Sequence, residues 1–233
     1  MSSKIVKAPW DLRGYCYTFL VKIPSFWGSE KMFVPKELPE SHGGFAFVMF
    51  VHYDSSDVGP YDELLFMPLT TFPFGCQKGR TISRIFVSSQ PSVDSGRHNW
   101  GIPKELAEFK LDSHRLGTTI TINRPGESEA FGMLQVAAGG FHLPVSLKWV
   151  PKSLRTLHQL WQNRSYTYTP DAKGRLGLCQ LQDCWFDPAE FPAIKTSHVK
   201  MALSFKDFSM WFPLAVVNSM GAQSADKCKT LLY

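Results

Sequence analysis

Nine consecutive residues, Phe45-Ala46-Phe47-Val48-Met49-Phe50-Val51-His52-Tyr53, restrict the fold more than any other stretch of this chain. Read as a strand, they are apolar on both faces. A strand of that kind must be covered on both sides, which places it at the centre of a sheet. The segments around it carry the same signature of aromatic and β-branched residues. Trp10 to Ile23 contains Tyr15-Cys16-Tyr17-Thr18-Phe19-Leu20-Val21, and Tyr61 to Pro68 follows the turn chemistry of Asp54 to Pro60. Thr81 to Ser88, Leu116 to Asn123, Ala130 to Val136, Val145 to Val150, Arg175 to Trp185 and His198 to Ser204 read as further strands. Arg124 to Ser128 forms a hairpin connection between two of them. Pro24 to Ser41, with three prolines, reads as a loop, and Leu154, Leu157 and Trp161 trace a weak helical face. The pattern predicts a mainly β (β-rich α+β) barrel or sandwich with few short helices. No internal repeat or domain boundary interrupts residues 1–233, so they read as one domain, with 219–233 as a loose tail or peripheral cap.

Composition excludes several classes. Charged residues make up 19% of the chain and the net charge of +5 is scattered, with no basic stripe interleaved with aromatics, so nucleic acid is not an expected partner. The longest apolar runs are too short for a membrane span. The N-terminal residues lack the apolar core of a signal peptide. Cys16, Cys76, Cys179, Cys184 and Cys228 are odd in number and widely spaced, which fits buried thiols in a reducing, cytoplasmic setting. Asn163-Arg164-Ser165 matches a glycosylation acceptor by chance in that setting. No dinucleotide or phosphate-binding glycine motif, nucleophile elbow or metal-binding histidine pair is present, so no cofactor and no metal are expected.

Two punctuated stretches carry the candidate chemistry. The first is Gly59-Pro60-Tyr61-Asp62-Glu63, and the second is Gly96-Arg97-His98-Asn99-Trp100-Gly101-Ile102-Pro103-Lys104-Glu105-Leu106-Ala107. Pro103 predicts a short helix starting there, with Lys104 in its first turn. That position disfavours an ammonium and suits a neutral amine. On pattern alone the simplest role for Lys104 is a solvated lysine on a short helix, and for Glu63 a charge at a strand edge. Gly96 and Gly101 read as backbone-geometry glycines, and Arg97 as a residue that ties the turn.

Together, in this order, the two stretches resemble the acetoacetate decarboxylase family, most closely the divergent decarboxylase-like proteins of fungi. The resemblance covers most of the chain and is tightest between about residues 45 and 136. It implies a β-cone or barrel enclosing a central pocket, and often a homo-oligomer. It aligns Lys104 with the lysine that forms a Schiff base with a keto substrate, and Glu63 with a pocket glutamate. Tyr61, Arg97, Trp100, His52 and Tyr17 are then candidate substrate-binding residues. Glu63, Tyr61 or His52 are candidates for moving protons.

This chain departs from the family at three positions. Glu105 stands where the decarboxylases have a second lysine. Val48 best matches a second pocket glutamate. Tyr15 or Cys16 occupies the place of an arginine that holds the substrate carboxylate, with Arg13 nearby. Acetoacetate is therefore a poor substrate candidate. A free lysine, with a pKa of about 10.4, is neutral in roughly one molecule in 2,500 at pH 7. An amine nucleophile therefore calls for an apolar wall, here sought in Trp100, Ile102, Leu106 and Phe109. Acetoacetate decarboxylase is itself an established case of a lysine activated by desolvation or a cationic neighbour. The functional expectation is an enzyme acting on a keto or aldehyde compound of secondary metabolism. The Lys104 Schiff base would serve decarboxylation, aldol/dehydration or isomerisation. The alternatives are a cyclase, isomerase or hydrolase of the same fold without a Schiff base, and a non-catalytic small-molecule binder.

Overall fold

A strand apolar on both faces needs two cores, and this chain builds them on either side of one large sheet. The computed structural model describes residues 4–74, 77–115, 117–137 and 139–219. Its first strands are β1 (Trp10–Ile23), β2 (Gly44–Ser55) and β3 (Tyr61–Pro68). A short hairpin of β4 (Phe72–Phe74) and β5 (Gln77–Gly79) precedes β6 (Arg84–Val87), helix α1 (Gln90–Trp100) and β7 (Lys104–Leu106). Next come β8 (Glu108–His114), β9 (Gly117–Asn123), β10 (Ala130–Ala137) and β11 (His142–Ser146). A one-turn helix, α2 (Lys152–Arg155), leads to β12 (Leu157–Trp161), β13 (Arg164–Tyr168), β14 (Asp171–Leu178) and β15 (Gln180–Phe186). The last described strands are β16 (Val199–Phe212) and β17 (Val216–Ser219).

The large sheet has the order β11-β14-β16-β1-β2-β3-β6-β7, with β2 near its centre. Ala46, Val48 and Phe50 point from β2 into a core shared with Ile120, Ile122, Leu134 and Val136 of the four-stranded sheet β15-β10-β9-β8. Val51 and Tyr53 point the other way, into a second core closed by Val93 and Trp100 of α1 and by Tyr168 of β13. Burial of both faces is what the sequence of β2 demands. The chain is mainly β, as expected. The large sheet stays open, because β11 and β7 form its two edges and do not pair with each other.

Several local expectations change. The helix lies before Gly101, over Gln90–Trp100, and not after Pro103. Ser89 caps its start by accepting from the Ser92 N–H, and Gly101 ends it at φ +64°. Past that stop, residues 104–106 find a better backbone partner in β6, with which β7 pairs in parallel. The apolar spacing at Leu157 and Trp161 belongs to β12, which pairs with β13, and the helical part is the single turn before it. The Thr81–Ser88 strand narrows to β6, and the Val145–Val150 segment turns into a 3-10 turn at Leu147. The Arg175–Trp185 segment divides at Cys179 into β14 and β15, which serve different sheets. Within Pro24–Ser41, a 3-10 turn at Glu30–Met32 buries Met32. Cys76, Cys228 and nearly all of the 219–233 tail lie outside the described residues.

A Cβ added at Gly14, opposite Tyr53 where the β1–β2 register shifts, meets the His52 carbonyl oxygen at 1.9 Å. Backbone cannot give way cheaply, so Gly14→Ala is expected to destabilise the protein by about 1–3 kcal/mol. Urea denaturation measures it, and an unchanged midpoint would contradict this packing.

Candidate active site

Strand alternation decides which candidates meet. In β3, Tyr61, Glu63 and Leu65 share the face that looks toward α1, while Asp62, Leu64 and Phe66 look toward the four-stranded sheet. Lys104 opens β7 opposite Ile85, on the α1 face. Its side chain runs beneath α1 and is 4% exposed, and among the described residues it is the one buried lysine. A Cβ on Gly96 would lie 2.8 Å from Lys104 Cδ and 3.0 Å from its Cε. Gly96 is therefore a crossing point, where the helix must lack a side chain for the lysine to pass. Gly101 combines its left-handed conformation with a close approach to Tyr166.

Lys104 Nζ donates to Glu63 Oε2 at 2.9 Å, Ser92 Oγ at 3.0 Å and the Tyr61 hydroxyl at 3.4 Å. An ammonium has three donors, so all are satisfied. The Tyr53 hydroxyl donates to the other carboxylate oxygen, Glu63 Oε1, at 3.2 Å. The Tyr53 and Tyr61 rings lie 4.5 Å apart, and Nζ is 5.1 Å from the Tyr61 ring centre. Burial pushes the Lys104 pKa down, but the Glu63 carboxylate and the Tyr61 hydroxyl push it up, and it settles above the ordinary lysine value. The resting amine is an ammonium. A purely apolar pocket holding a neutral lysine is therefore not what this chain builds. Burial also raises the Tyr61 hydroxyl, against the opposing pull of Lys104, and holds Tyr53 well above the usual phenol value, helped by Glu63.

The other candidates separate. His52 and Tyr17 stand on the opposite face of the sheet and do not reach Lys104. His52 Nδ1 pairs with Asp62 at 2.7 Å, and its ring stacks on Tyr15 at 5.0 Å. Trp100 is a core residue, donating Nε1–H to the Pro213 carbonyl at 2.6 Å and packing edge-on to Trp10. Arg97 lies over the Trp161 ring at 5.1 Å. Glu105 points away from Lys104 into an ion-pair cluster with Arg84 and Arg124, which Glu190 completes. Val48, the position that resembles the family's second pocket glutamate, faces the core on the side away from Lys104. In register with Glu63 is Val51, and next to Val51 is Cys16. That row, Cys16–Val51–Glu63, holds neither an arginine nor a second carboxylate. Burial pushes the Cys16 thiol up to about 12.

Sequence reading missed Ser92 and Tyr53. Ser92 sits on a helix with little apolar periodicity, although Ser89 as a cap and Pro91 in the first turn mark its start. Tyr53 is found by counting alternate positions back to Val51. No group of three or more His, Cys, Asp or Glu side chains among the described residues is arranged to hold a metal ion. No helix among them is long and apolar enough to cross a membrane.

The chain matches the acetoacetate decarboxylase (ADC) family over residues 31–232 and belongs to it. No curated protein sequence matches it. Its fold is similar to that of acetoacetate decarboxylase from Legionella pneumophila, with a TM-score of 0.64 at 13% identity, over 94% of this chain and 90% of that one. It is also similar to the enduracididine biosynthesis enzyme MppR, complexed with the condensation product of pyruvate and imidazole 4-carboxaldehyde. There the TM-score is 0.60 at 12% identity, over 94% and 92% of the two chains. An acetoacetate decarboxylase-like enzyme from Sphingomonas wittichii RW1 aligns with a TM-score of 0.60 at 12% identity, over 92% and 94%.

Two outcomes test this geometry. Gly96→Ala is expected to displace the lysine stem and cost about 1–3 kcal/mol in chemical denaturation. Lys104 has a folded pKa above its unfolded value, so its stabilisation is complete below about pH 10 and is lost as the pH rises through the folded value. The raised Tyr53 and Tyr61 hydroxyls act in the same direction. Lys104→Met combined with Glu63→Gln is expected to flatten the loss of unfolding free energy above about pH 10 by up to one proton. A slope equal to that of the wild type would refute the assignment.

Proposed function

We propose that this member of the acetoacetate decarboxylase family is an enzyme that uses Lys104 to form a Schiff base with a keto or aldehyde substrate. The observation that carries the reading is a buried lysine whose three donors converge on a carboxylate and two hydroxyls. Lys104 gives one proton to Glu63 and becomes a neutral amine. Its lone pair then forms the C–N bond to the carbonyl carbon, and the carbonyl oxygen leaves as water after taking two protons. One proton comes from the nitrogen and one is returned by Glu63. The product is a protonated imine, an electron sink for a breaking C–C bond or a departing α-proton. Tyr61 and Ser92 hold the nitrogen during these steps, and Tyr53 holds Glu63.

Within this proposal the chemistry favours proton transfer or aldol/dehydration over loss of carbon dioxide. The row beside Glu63 is Cys16–Val51, with no cation to bind a β-keto carboxylate. The ligand complexed with MppR, a condensation product of pyruvate and an aldehyde, lends support by likeness of fold. A cytoplasmic setting, a role in secondary metabolism and a homo-oligomeric state complete the proposal.

A second reading has an observation of its own. The ammonium is already saturated and its pKa is raised, which suits a fixed positive charge that binds or orients a ligand without covalent attachment. Borohydride reduction with a panel of keto acids, ketones and aldehydes separates the two readings. A substrate-dependent mass adduct on Lys104, absent in Lys104→Ala, is the expected result. No adduct on Lys104 with any member of the panel would leave the non-covalent reading.

A further inference from the structure

We propose that the part of the large sheet centred on Leu20 of β1, on the face that carries Glu63, is the interface by which two copies of this chain form a face-to-face dimer. This gives the homo-oligomer named above a surface and a symmetry, and it stands apart from the chemistry of Lys104. α1 and β13 close that face of the sheet around Val51, Tyr53 and Tyr61, through Val93, Trp100 and Tyr168. The sheet runs on beyond them. Two residues along each strand from the row Cys16–Val51–Glu63 comes the row Leu178–Leu203–Thr18–Met49–Leu65, and two further comes Met201–Leu20–Phe47–Met67. Phe45, opposite Lys22, ends the run.

Alternation turns these side chains away from the core that holds their neighbours Phe19, Val21, Ala46 and Val48. Leu20, Phe47 and Leu203 belong to neither core. Leu178, Met201 and Phe45 are 68%, 41% and 46% exposed. An antiparallel sheet with one face in water ordinarily carries polar residues there. Here the two rows hold no charged residue, and Lys22 marks their outer limit.

Size and symmetry identify the occupant as a second copy. Five strands about 4.8 Å apart and three rows about 6.8 Å apart span roughly 24 by 20 Å, or about 500 Å². That is near the upper end for the largest apolar patch of a monomer, roughly 300–600 Å². A polar rim about 3 Å wide brings it to the roughly 800 Å² per partner of a stable interface. Residues 220–233 carry four large apolar side chains, Met220, Leu231, Leu232 and Tyr233, too few to cover such a face. β1 is the middle strand of the patch, with β16 and β14 on one side and β2 and β3 on the other. A two-fold axis along β1, between sheets about 10 Å apart, therefore sets β16 of each copy over β2 of the other. Leu20 then meets Leu20, Met201 meets Phe47, and Leu203 meets Met49. A thioether against an aromatic ring is a favourable contact, and the symmetry makes it twice. Sheet twist turns the two sets of strands by about 30°, which confines the closest fit to the rows around Leu20.

Sedimentation velocity of the full chain tests the face with no substrate present, so its outcome is independent of the Schiff-base reading. The wild type is expected to be a dimer at micromolar concentration. Met201→Lys combined with Leu178→Lys, both at exposed positions, is expected to weaken association by about a hundredfold or more, because each copy then buries unpaired charges. Its thermal midpoint is expected to stay close to that of the wild type. Leu214→Lys, exposed but outside the rows, and Phe141→Lys, beside the edge strand β11, are expected to remain dimeric. Leu20→Glu and Leu20→Lys are each expected to be monomers, and their equimolar mixture a dimer, since the axis sets residue 20 against itself. A monomeric wild type overturns the interface, and so does a dimeric Met201→Lys, Leu178→Lys protein. A dimer lost in Phe141→Lys but kept in that double variant assigns the contact to the β11 edge instead. A Leu20→Glu and Leu20→Lys mixture that stays monomeric overturns the axis along β1.

Discussion

The ion pair between Lys104 and Glu63 is the interaction on which the α1 side of this protein depends. Each partner is 4% exposed, and a buried charge without its counterpart costs several kcal/mol, roughly 3–5 when one partner is removed. The surroundings are arranged to keep the two together. Ser92, Tyr61 and Tyr53 saturate the remaining hydrogen-bonding capacity, and Gly96 leaves room for the lysine stem. The pair ties the edge strand β7 to β3 across β6, beneath α1. It therefore organises packing and polarity in the same place.

Much of the fold was legible because β-structure writes itself in period-two patterns. The two apolar faces of β2 give a central strand, and the structure buries one face against Ile120 and Leu134 and the other against Tyr61 and Val93. The hairpin of β9 and β10 and the strands β1 and β3 follow in the same way. The helix was misplaced because its sequence, with two serines, a glycine and a histidine, has no apolar stripe. Its existence rests on capping by Ser89 and Gly101 and on packing against the sheet. The stretch at Leu157 and Trp161 misled for the opposite reason, since a three-to-four spacing also fits a strand whose partner is unknown.

The site was half legible. The family motif points to Lys104, Glu63 and Tyr61, which converge. It cannot say on which face Tyr17 and His52 lie, because that depends on register, and register set them with Asp62 against the other core. Register also sets Val51, and not Val48, beside Glu63. The charge state of Lys104 was the least readable property. Desolvation and a neighbouring carboxylate push in opposite directions, and only the 2.9 Å contact decides which prevails.

The adjacent residues Lys104 and Glu105 have a meaning beyond chemistry. β7 is three residues long and lies at the edge of the sheet, where a strand is held by few backbone bonds and slides easily. A slip of one residue would turn each side chain to the opposite face. Glu105 would then lie on the face that holds Glu63, and Lys104 on the face that holds Arg84 and Arg124. Both faces would become repulsive at once. The opposite signs of two neighbouring residues thus act as a two-sided key that fits its lock in a single position. So short an edge strand can thereby present its amine at a fixed depth.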